Sequence, residues 1–208
     1  MTEIKAPTRL ARLLVGWIWA FFAVRLVLVA VMAVNLLAFY GHVPEHFPYP
    51  ALMLAAKLTM WGNLGVHFVA GLLSLIWIHR MSRNANILTG GLPISPGWAV
   101  GWYFVPIGAL WKPFEAIEQA WQASTKPLAW RSVPTPPLLR WWWGLWLGAG
   151  AVSTVLGMSQ RSGNKDQAAD SILLVVISAL VMVQCVLFSR IVRRLSDLQA
   201  ASSLDVFD

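Results

Sequence analysis

Charge is the scarcest commodity in this chain. Only 12% of its 208 residues are Asp, Glu, Lys or Arg, about half the share of an ordinary soluble domain. Without that polar shell a water-soluble fold is excluded. Acid is scarcer than base, with nine carboxylates against sixteen Lys and Arg and a formal net charge of +7. Cysteine occurs once, at Cys185, which excludes a disulfide framework and a thiolate metal cluster. Its apolar surroundings, Val183 to Phe188, make it a packing residue. What fills the chain instead is apolar: 58% hydrophobic residues, with thirteen Trp. At about 20 residues per span there is room for four or five membrane crossings and little for a separate soluble domain.

The positive excess does not mark a nucleic-acid partner. The Lys and Arg residues are scattered between apolar runs rather than gathered on one face, which is how membrane proteins encode orientation. Lys5, Arg9 and Arg12 before an apolar run resemble the start of a signal peptide. The run that follows, Leu13 to Phe39, has 27 residues, whereas a signal core has about 7–15. It reads as a retained first span.

Four segments qualify as spanning helices: 13–39, 58–78, 138–158 and 170–189. A fifth, Ile94 to Trp111, carries no charge, but Pro96 and Pro106 interrupt it and Gly97, Gly101 and Gly108 loosen it. Charge decides its status. If it crosses, with the N-terminus inside, seven Lys and Arg face the cytoplasm and eight face outward. If it does not, Lys5, Arg9, Arg12, Arg80, Arg83, Lys112, Lys126, Arg131, Arg140, Arg190, Arg193 and Arg194 face inward. Only Lys57, Arg161 and Lys165 then face out. The second arrangement obeys the positive-inside rule and the first does not. The expectation is an all-α integral membrane protein, one polytopic domain over residues 1–208, with four spans and both termini cytoplasmic.

Tryptophan placement fits that topology. Trp17, Trp19, Trp77, Trp141, Trp142, Trp143 and Trp146 fall at cytoplasmic helix ends, and Trp98, Trp102, Trp111, Trp121 and Trp130 lie in the loop 80–137. Trp61 stands near the opposite face. Indole favours the headgroup level, where its ring is apolar and its N–H finds an acceptor. Segment 94–111 is therefore expected to be re-entrant or interfacial, in two short pieces meeting near Val105–Pro106. After it, Phe114, Ile117 and Trp121 take one helical face, and Glu115, Glu118, Gln119 and Gln122 the other. That spacing predicts an amphipathic surface helix over 113–124, started by Pro113. Residues 125–137 (TKPLAWRSVPTPP) read as a stiff connector without regular structure. No internal repeat is visible.

The stretch Ser95 to Ser124, SPGWAVGWYFVPIGALWKPFEAIEQAWQAS, followed by WWWGLW at Trp141–Trp146, resembles the bacterial membrane family domain of unknown function 4328 (DUF4328). Gly101, Trp102, Pro106, Ile107, Leu110, Trp111, Lys112, Pro113 and Trp121 carry the likeness. It extends over about residues 55 to 195 and is weakest at the first span. The resemblance implies a multi-pass bacterial inner-membrane protein and brings no activity with it.

A few residues could carry function. Arg25 lies mid-run in the first span, where an Arg costs about 2.5–3.5 kcal/mol to insert. No carboxylate lies inside a span to pair with it, Asp170 standing only at the edge of the fourth. It either snorkels to headgroups or contacts a ligand or anionic group. His67, also deep in a span, reads as an interhelical hydrogen-bond partner ahead of a proton relay or metal ligand, and stands with Arg25 as the candidate ligand or lipid contact. His42-Val43-Pro44-Glu45-His46 matches the H-x-x-E-H zinc pattern, but Pro44 denies it the helix that gives the spacing meaning. No metal or cofactor is expected. Gly144 and Gly148 form G-x-x-x-G in the third span, which predicts close helix approach, within the chain or to a second copy. Gly97 and Gly101 repeat the spacing beside Pro96 and read as backbone flexibility.

Trp98, Trp102, Pro106, Trp111, Lys112, Pro113, Glu115, Glu118 and Trp121 form the expected interaction surface. The reading is a non-catalytic membrane protein acting through protein or lipid contact at this face. Its partners are the bilayer and a membrane or cytoplasmic protein. The alternative is a small transporter, channel or lipid-binding protein built on Arg25 and His67. An enzyme is not expected, because no nucleophile–base pair or carboxylate dyad falls in a plausible cavity.

Overall fold

The computed structural model describes residues 7–42, 44, 46, 48–161 and 167–204. Lys5 and Lys165 of the charge tally, and Glu45 of the H-x-x-E-H pattern, lie outside the described residues. The described chain is helical and contains no strand. Its helices are α1 (Thr8–Phe39), α2 (Tyr49–Thr89), α3 (Pro96–Gly101), α4 (Lys112–Thr125), α5 (Pro137–Arg161) and α6 (Gln167–Leu204). Short 3-10 turns at Trp102–Phe104, Gly108–Leu110 and Pro127–Ser132 join the middle elements.

Three stretches, Thr8–Ala38, Tyr49–Thr89 and Ala169–Ser202, are long and apolar enough to cross a membrane, the mark of a multi-pass membrane protein. Helix α5 has spanning length, but Arg140, four Trp and the glycines at 144, 148, 150 and 157 dilute its apolarity. The helices outrun the apolar windows that announced them. Helix α2 begins nine residues before 58, and α6 continues to Leu204 rather than stopping at 189.

Helix ends follow local chemistry. Helix α1 stops at Gly41, whose φ of +73° suits a residue without Cβ. The His42 N–H then donates to the Leu37 carbonyl at 2.9 Å and the Gly41 N–H to Ala38 at 3.1 Å, the paired bonds of a Schellman turn. Helix α2 ends on Gly90 and Gly91, at φ +75° and +136°. Asn86 then holds the chain that leaves it: its Oδ1 accepts from the Leu92 N–H at 2.9 Å, and its Nδ2 donates to the Ser82 carbonyl at 2.8 Å.

The chain divides into two compact units. The first comprises Met1–Gly16, Ala70–Trp143 and Leu187–Asp208; the second comprises Trp17–Val69 and Gly144–Val186. The first unit is packed like a protein interior. Trp77 is fully buried, donates its indole N–H to Ser196 Oγ at 3.1 Å, and meets the Phe188 ring edge-on. The Trp142 ring stacks on Phe188 with centroids 5.2 Å apart. These contacts correct the reading of Trp77, Trp142 and Trp143 as headgroup anchors. All three are buried, because their N–H groups or ring faces find partners inside the unit.

Gln199, also fully buried, ties three helices of this unit together. Its Nε2 donates to the Met81 carbonyl at 2.9 Å and to Ser124 Oγ at 3.1 Å, and its Oε1 accepts from Asn84 Nδ2 at 3.0 Å. Helix α4 is therefore no surface helix. Ala116, Ile117, Gln119, Ala120, Trp121, Ala123 and Ser124 are all buried, including Gln119 from the face expected to be polar. Gln119 is admitted because its Oε1 accepts from the Ile94 N–H at 3.3 Å. The connector after α4 is likewise ordered, as two 3-10 turns over Pro127–Ser132 that meet at a kink at Ala129 (φ −136°, ψ 39°), with Gln122 Nε2 donating to the Val133 carbonyl at 3.0 Å.

The second unit has few buried side chains. Ile18, Phe21, Ala149, Leu156, Ile177 and Cys185 are among its buried apolar residues. Around them Leu26, Leu54, Leu58, Trp61 and Phe68 are more than half exposed, as apolar side chains facing lipid would be.

Candidate functional site

Two regions gather the residues singled out by sequence. The first is the broken segment from Ser95 to Trp111. Ser95 caps α3, its Oγ accepting from the Trp98 N–H at 3.4 Å, and Pro96 occupies the first turn. The helix tightens to 3-10 at Trp102 and ends at Val105, which is extended at φ −98° and ψ 109°. Pro106 enforces that geometry on the residue before it. A second 3-10 turn, Gly108–Leu110, leads into α4, so the break falls at Val105–Pro106, where it was expected.

Close packing holds the pieces together. Trp98 and Trp102 lie with ring centroids 4.8 Å apart. A Cβ on Gly108 would stand 2.6 Å from Trp102 Cε3, so glycine is required there by contact rather than for flexibility. Trp143 donates its indole N–H to the Leu110 carbonyl at 3.0 Å, and its ring meets Phe114. Burial raises the Tyr103 phenol above its usual value, so it stays neutral.

The outward side of this segment is apolar. Trp98, Phe104, Ile107, Leu110 and Trp111 are each about half exposed or more, Phe104 reaching 72% and Ile107 70%. The surface expected from the sequence held the two tryptophans and left out Phe104, Ile107 and Leu110, although all three stand in the same uncharged run. Pro106 is exposed, Trp102 and Lys112 half-buried, and Pro113 buried. Trp121 is buried too and so leaves the proposed surface; it packs the first unit. Glu115 and Glu118 are half-buried and already engaged. Glu115 pairs with Lys112 Nζ at 2.7 Å and accepts from Gln119 Nε2 at 3.2 Å. Glu118 accepts from the Thr135 hydroxyl.

The second region surrounds Arg25, in the second unit. The side chain runs back toward the N-terminus of α1, as helical side chains do, and its guanidinium carbon lies 5.3 Å from the Phe21 ring centroid. Its Nη1 donates to Ser178 Oγ on α6 at 3.4 Å, a long bond. Its Nε is buried and takes no partner among the described residues. Phe21 also meets the exposed His67, with ring centroids 5.0 Å apart. Helix α1 ends at Phe39 and α2 begins at Tyr49, so two helices that meet at Phe21 and His67 run back along each other. One turn toward their connection from that contact puts Arg25 and Asn63 at a common depth. Asn63 Oδ1 is the other buried side-chain atom without a partner among the described residues. Asn63 and Ser178 went unnoticed in the sequence, although Asn63 and His67 stand at i, i+4, one helical face.

The remaining motifs stay apart from both regions. His42 is exposed, beyond the end of α1, with Nδ1 2.9 Å from the Tyr40 carbonyl, so no helix aligns it with His46. A Cβ on Gly144 or on Gly148 would meet nothing within 4 Å. The close helix approach expected at that pair is therefore not made within the described chain.

Residues 51–197 match the family model described as Domain of unknown function (DUF4328). No curated protein and no solved structure matches the chain.

Proposed function

The chain belongs to the DUF4328 family, and from that premise we propose a non-catalytic inner-membrane protein of bacteria that acts by interaction at its Trp-rich face. In this reading α5 is a fourth span, both termini and residues 80–137 are cytoplasmic, and the segment Trp98–Trp111 lies in the inner-leaflet headgroup region. The exposed run of Trp98, Phe104, Ile107, Leu110 and Trp111 supports it most. So large an apolar edge in water would mark a binding surface, and its mix of indole and aliphatic groups suits the boundary between headgroups and acyl chains. Lipid is favoured over a protein partner because Glu115 and Glu118, the acidic groups that would greet one, are bound within the unit.

Two measurements test the reading. Reporter fusions at Ala85 and Thr125 should both register cytoplasmic; opposite readings would mean that 94–111 crosses the membrane. A spin label at Ile107→Cys, in a Cys185→Ala background in nanodiscs, should collide more with oxygen than with a water-soluble nickel chelate. Dominant chelate collision would show the segment in water and turn the surface into a protein-docking site.

A further inference from the structure

We infer that Arg25, Asn63 and Ser178 form a site within the membrane for the oxyanion head of an acidic amphiphile, a fatty-acid carboxylate or an acidic phospholipid phosphate. Arg25 stands roughly 25 Å along α1 from its start and 21 Å from its end, within a stretch apolar enough to span. A guanidinium there is a positive charge in a medium that does not solvate it. Among the described residues no carboxylate pairs with it; it makes a 3.4 Å bond to Ser178 Oγ and lies over the face of Phe21. Cation–π contact with Phe21 lowers the penalty without supplying an acceptor for Nε.

Two orphaned atoms at one level point to one ligand. Arg25 Nε is a buried donor and Asn63 Oδ1 a buried acceptor, and neither finds a partner among the described residues. The O and N of an amide are assigned by their surroundings. With the Asn63 amide turned over, its NH₂ group takes the place of Oδ1 and becomes a donor. Arg25 and Asn63 then offer N–H groups to a single oxyanion, and Ser178, which accepts from Arg25, offers its hydroxyl proton. Charge-assisted bonds of this kind are the strong ones.

The ligand must bring its own tail. A small inorganic ion would give up its whole hydration shell for these three side chains, with no apolar part to gain from the hydrocarbon around them. Leu26, Leu64 and Phe68, one to five residues from Arg25 or Asn63 in the chain, are each more than half exposed and apolar, a surface along which an acyl chain lies without penalty.

The test is native mass spectrometry of the full chain, delipidated in mild detergent and titrated with four probes. These are oleate, dioleoyl phosphatidylglycerol, dioleoyl phosphatidylcholine and inorganic phosphate. One equivalent of oleate or phosphatidylglycerol should bind about tenfold or more tightly than phosphatidylcholine, with no competition from phosphate. Whichever acidic probe binds tighter identifies the source of the oxyanion. Arg25→Gln should weaken binding about tenfold or more, and Asn63→Leu or Ser178→Ala several-fold. Arg140→Gln, an exposed change in the first unit, should leave it untouched. Equal binding of acidic and zwitterionic lipids by the wild type, full competition by phosphate, or unchanged affinity in Arg25→Gln would overturn the assignment. Should Arg25→Gln fail to fold, Asn63→Leu and Ser178→Ala decide, since both retain the charge; wild-type affinity in both overturns it equally.

Discussion

The two units of this chain solve the problem of buried polarity in opposite ways. In the first, polar side chains enter the interior in matched sets: Gln199 with Met81, Asn84 and Ser124, Trp77 with Ser196, Gln119 with Ile94. In the second, the two buried side-chain atoms without a partner among the described residues, on Arg25 and Asn63, stand amid exposed apolar surface. In the proposed topology the second unit lies in the bilayer and most of the first lies at its cytoplasmic side, and the contrast then follows from the medium each faces. A unit that makes its own interior needs specific pairs to select one packing over its neighbours. A unit whose outer surface meets hydrocarbon has no such need, and polarity left unpaired in it is a sign of something to be bound.

Gln199→Leu should break the first half of this contrast most severely. The side chain is fully buried and makes three hydrogen bonds. At about 1 kcal/mol net for each bond, the loss comes to about 3 kcal/mol, read as a lower unfolding midpoint in detergent. A loss under about 1 kcal/mol would mean that the network is incidental and that apolar packing carries the unit.

Gly108→Ala comes next. The new methyl would fall 2.6 Å from Trp102 Cε3, so the indole must shift, and its ring contact with Trp98 changes with it. Overpacking of this kind costs about 1–3 kcal/mol, and the altered tryptophan environment should appear in the near-ultraviolet circular dichroism. An unchanged spectrum with wild-type stability would mean that the segment repacks freely and holds no fixed surface.

Apolar runs and proline placement made the long helices and the Val105–Pro106 break legible in the sequence. The α4 spacing of Phe114, Ile117 and Trp121 also held, as a helix. What stayed hidden was which polar residues go inside. Gln119 and Ser124 look like solvent-facing residues until their acceptors and donors are known, so α4 read as a surface helix. Arg190, Arg193 and Arg194 read only as inward-facing charges beyond a span that stops at 189, well short of the end of α6. They occupy its exposed side, while Ile191, Val192, Leu195, Ser196 and Gln199 form a buried stripe at helical spacing. That stripe was readable, had the charges not drawn attention first. Tryptophan was ambiguous for a different reason: an indole N–H is satisfied equally by a headgroup or by a buried hydroxyl, as Trp77 is by Ser196. The Arg25 region was half legible, since the unpaired cation shows in the sequence and its surroundings arise from helix register.

The smallest expected effect sharpens the second half of the contrast. At Gly144 and Gly148 a Cβ would meet nothing within 4 Å, so alanine at either position removes no contact within the described chain. Alanine is also the better helix former, by roughly 0.5–1 kcal/mol over glycine in a helix interior. Gly144→Ala and Gly148→Ala should therefore leave the unfolding midpoint unchanged or raise it slightly, and leave the fraction of cross-linked dimer in membranes as it was. A small-residue stripe used by a second copy behaves otherwise. There the glycines allow backbones to approach closely, and even a methyl group forces them apart. A fall in the dimer fraction with the monomer equally stable would place a helix of another copy on this face. The exposed apolar surface of the second unit would then be in part a protein interface, and its difference from the first would lie in whose side chains fill it.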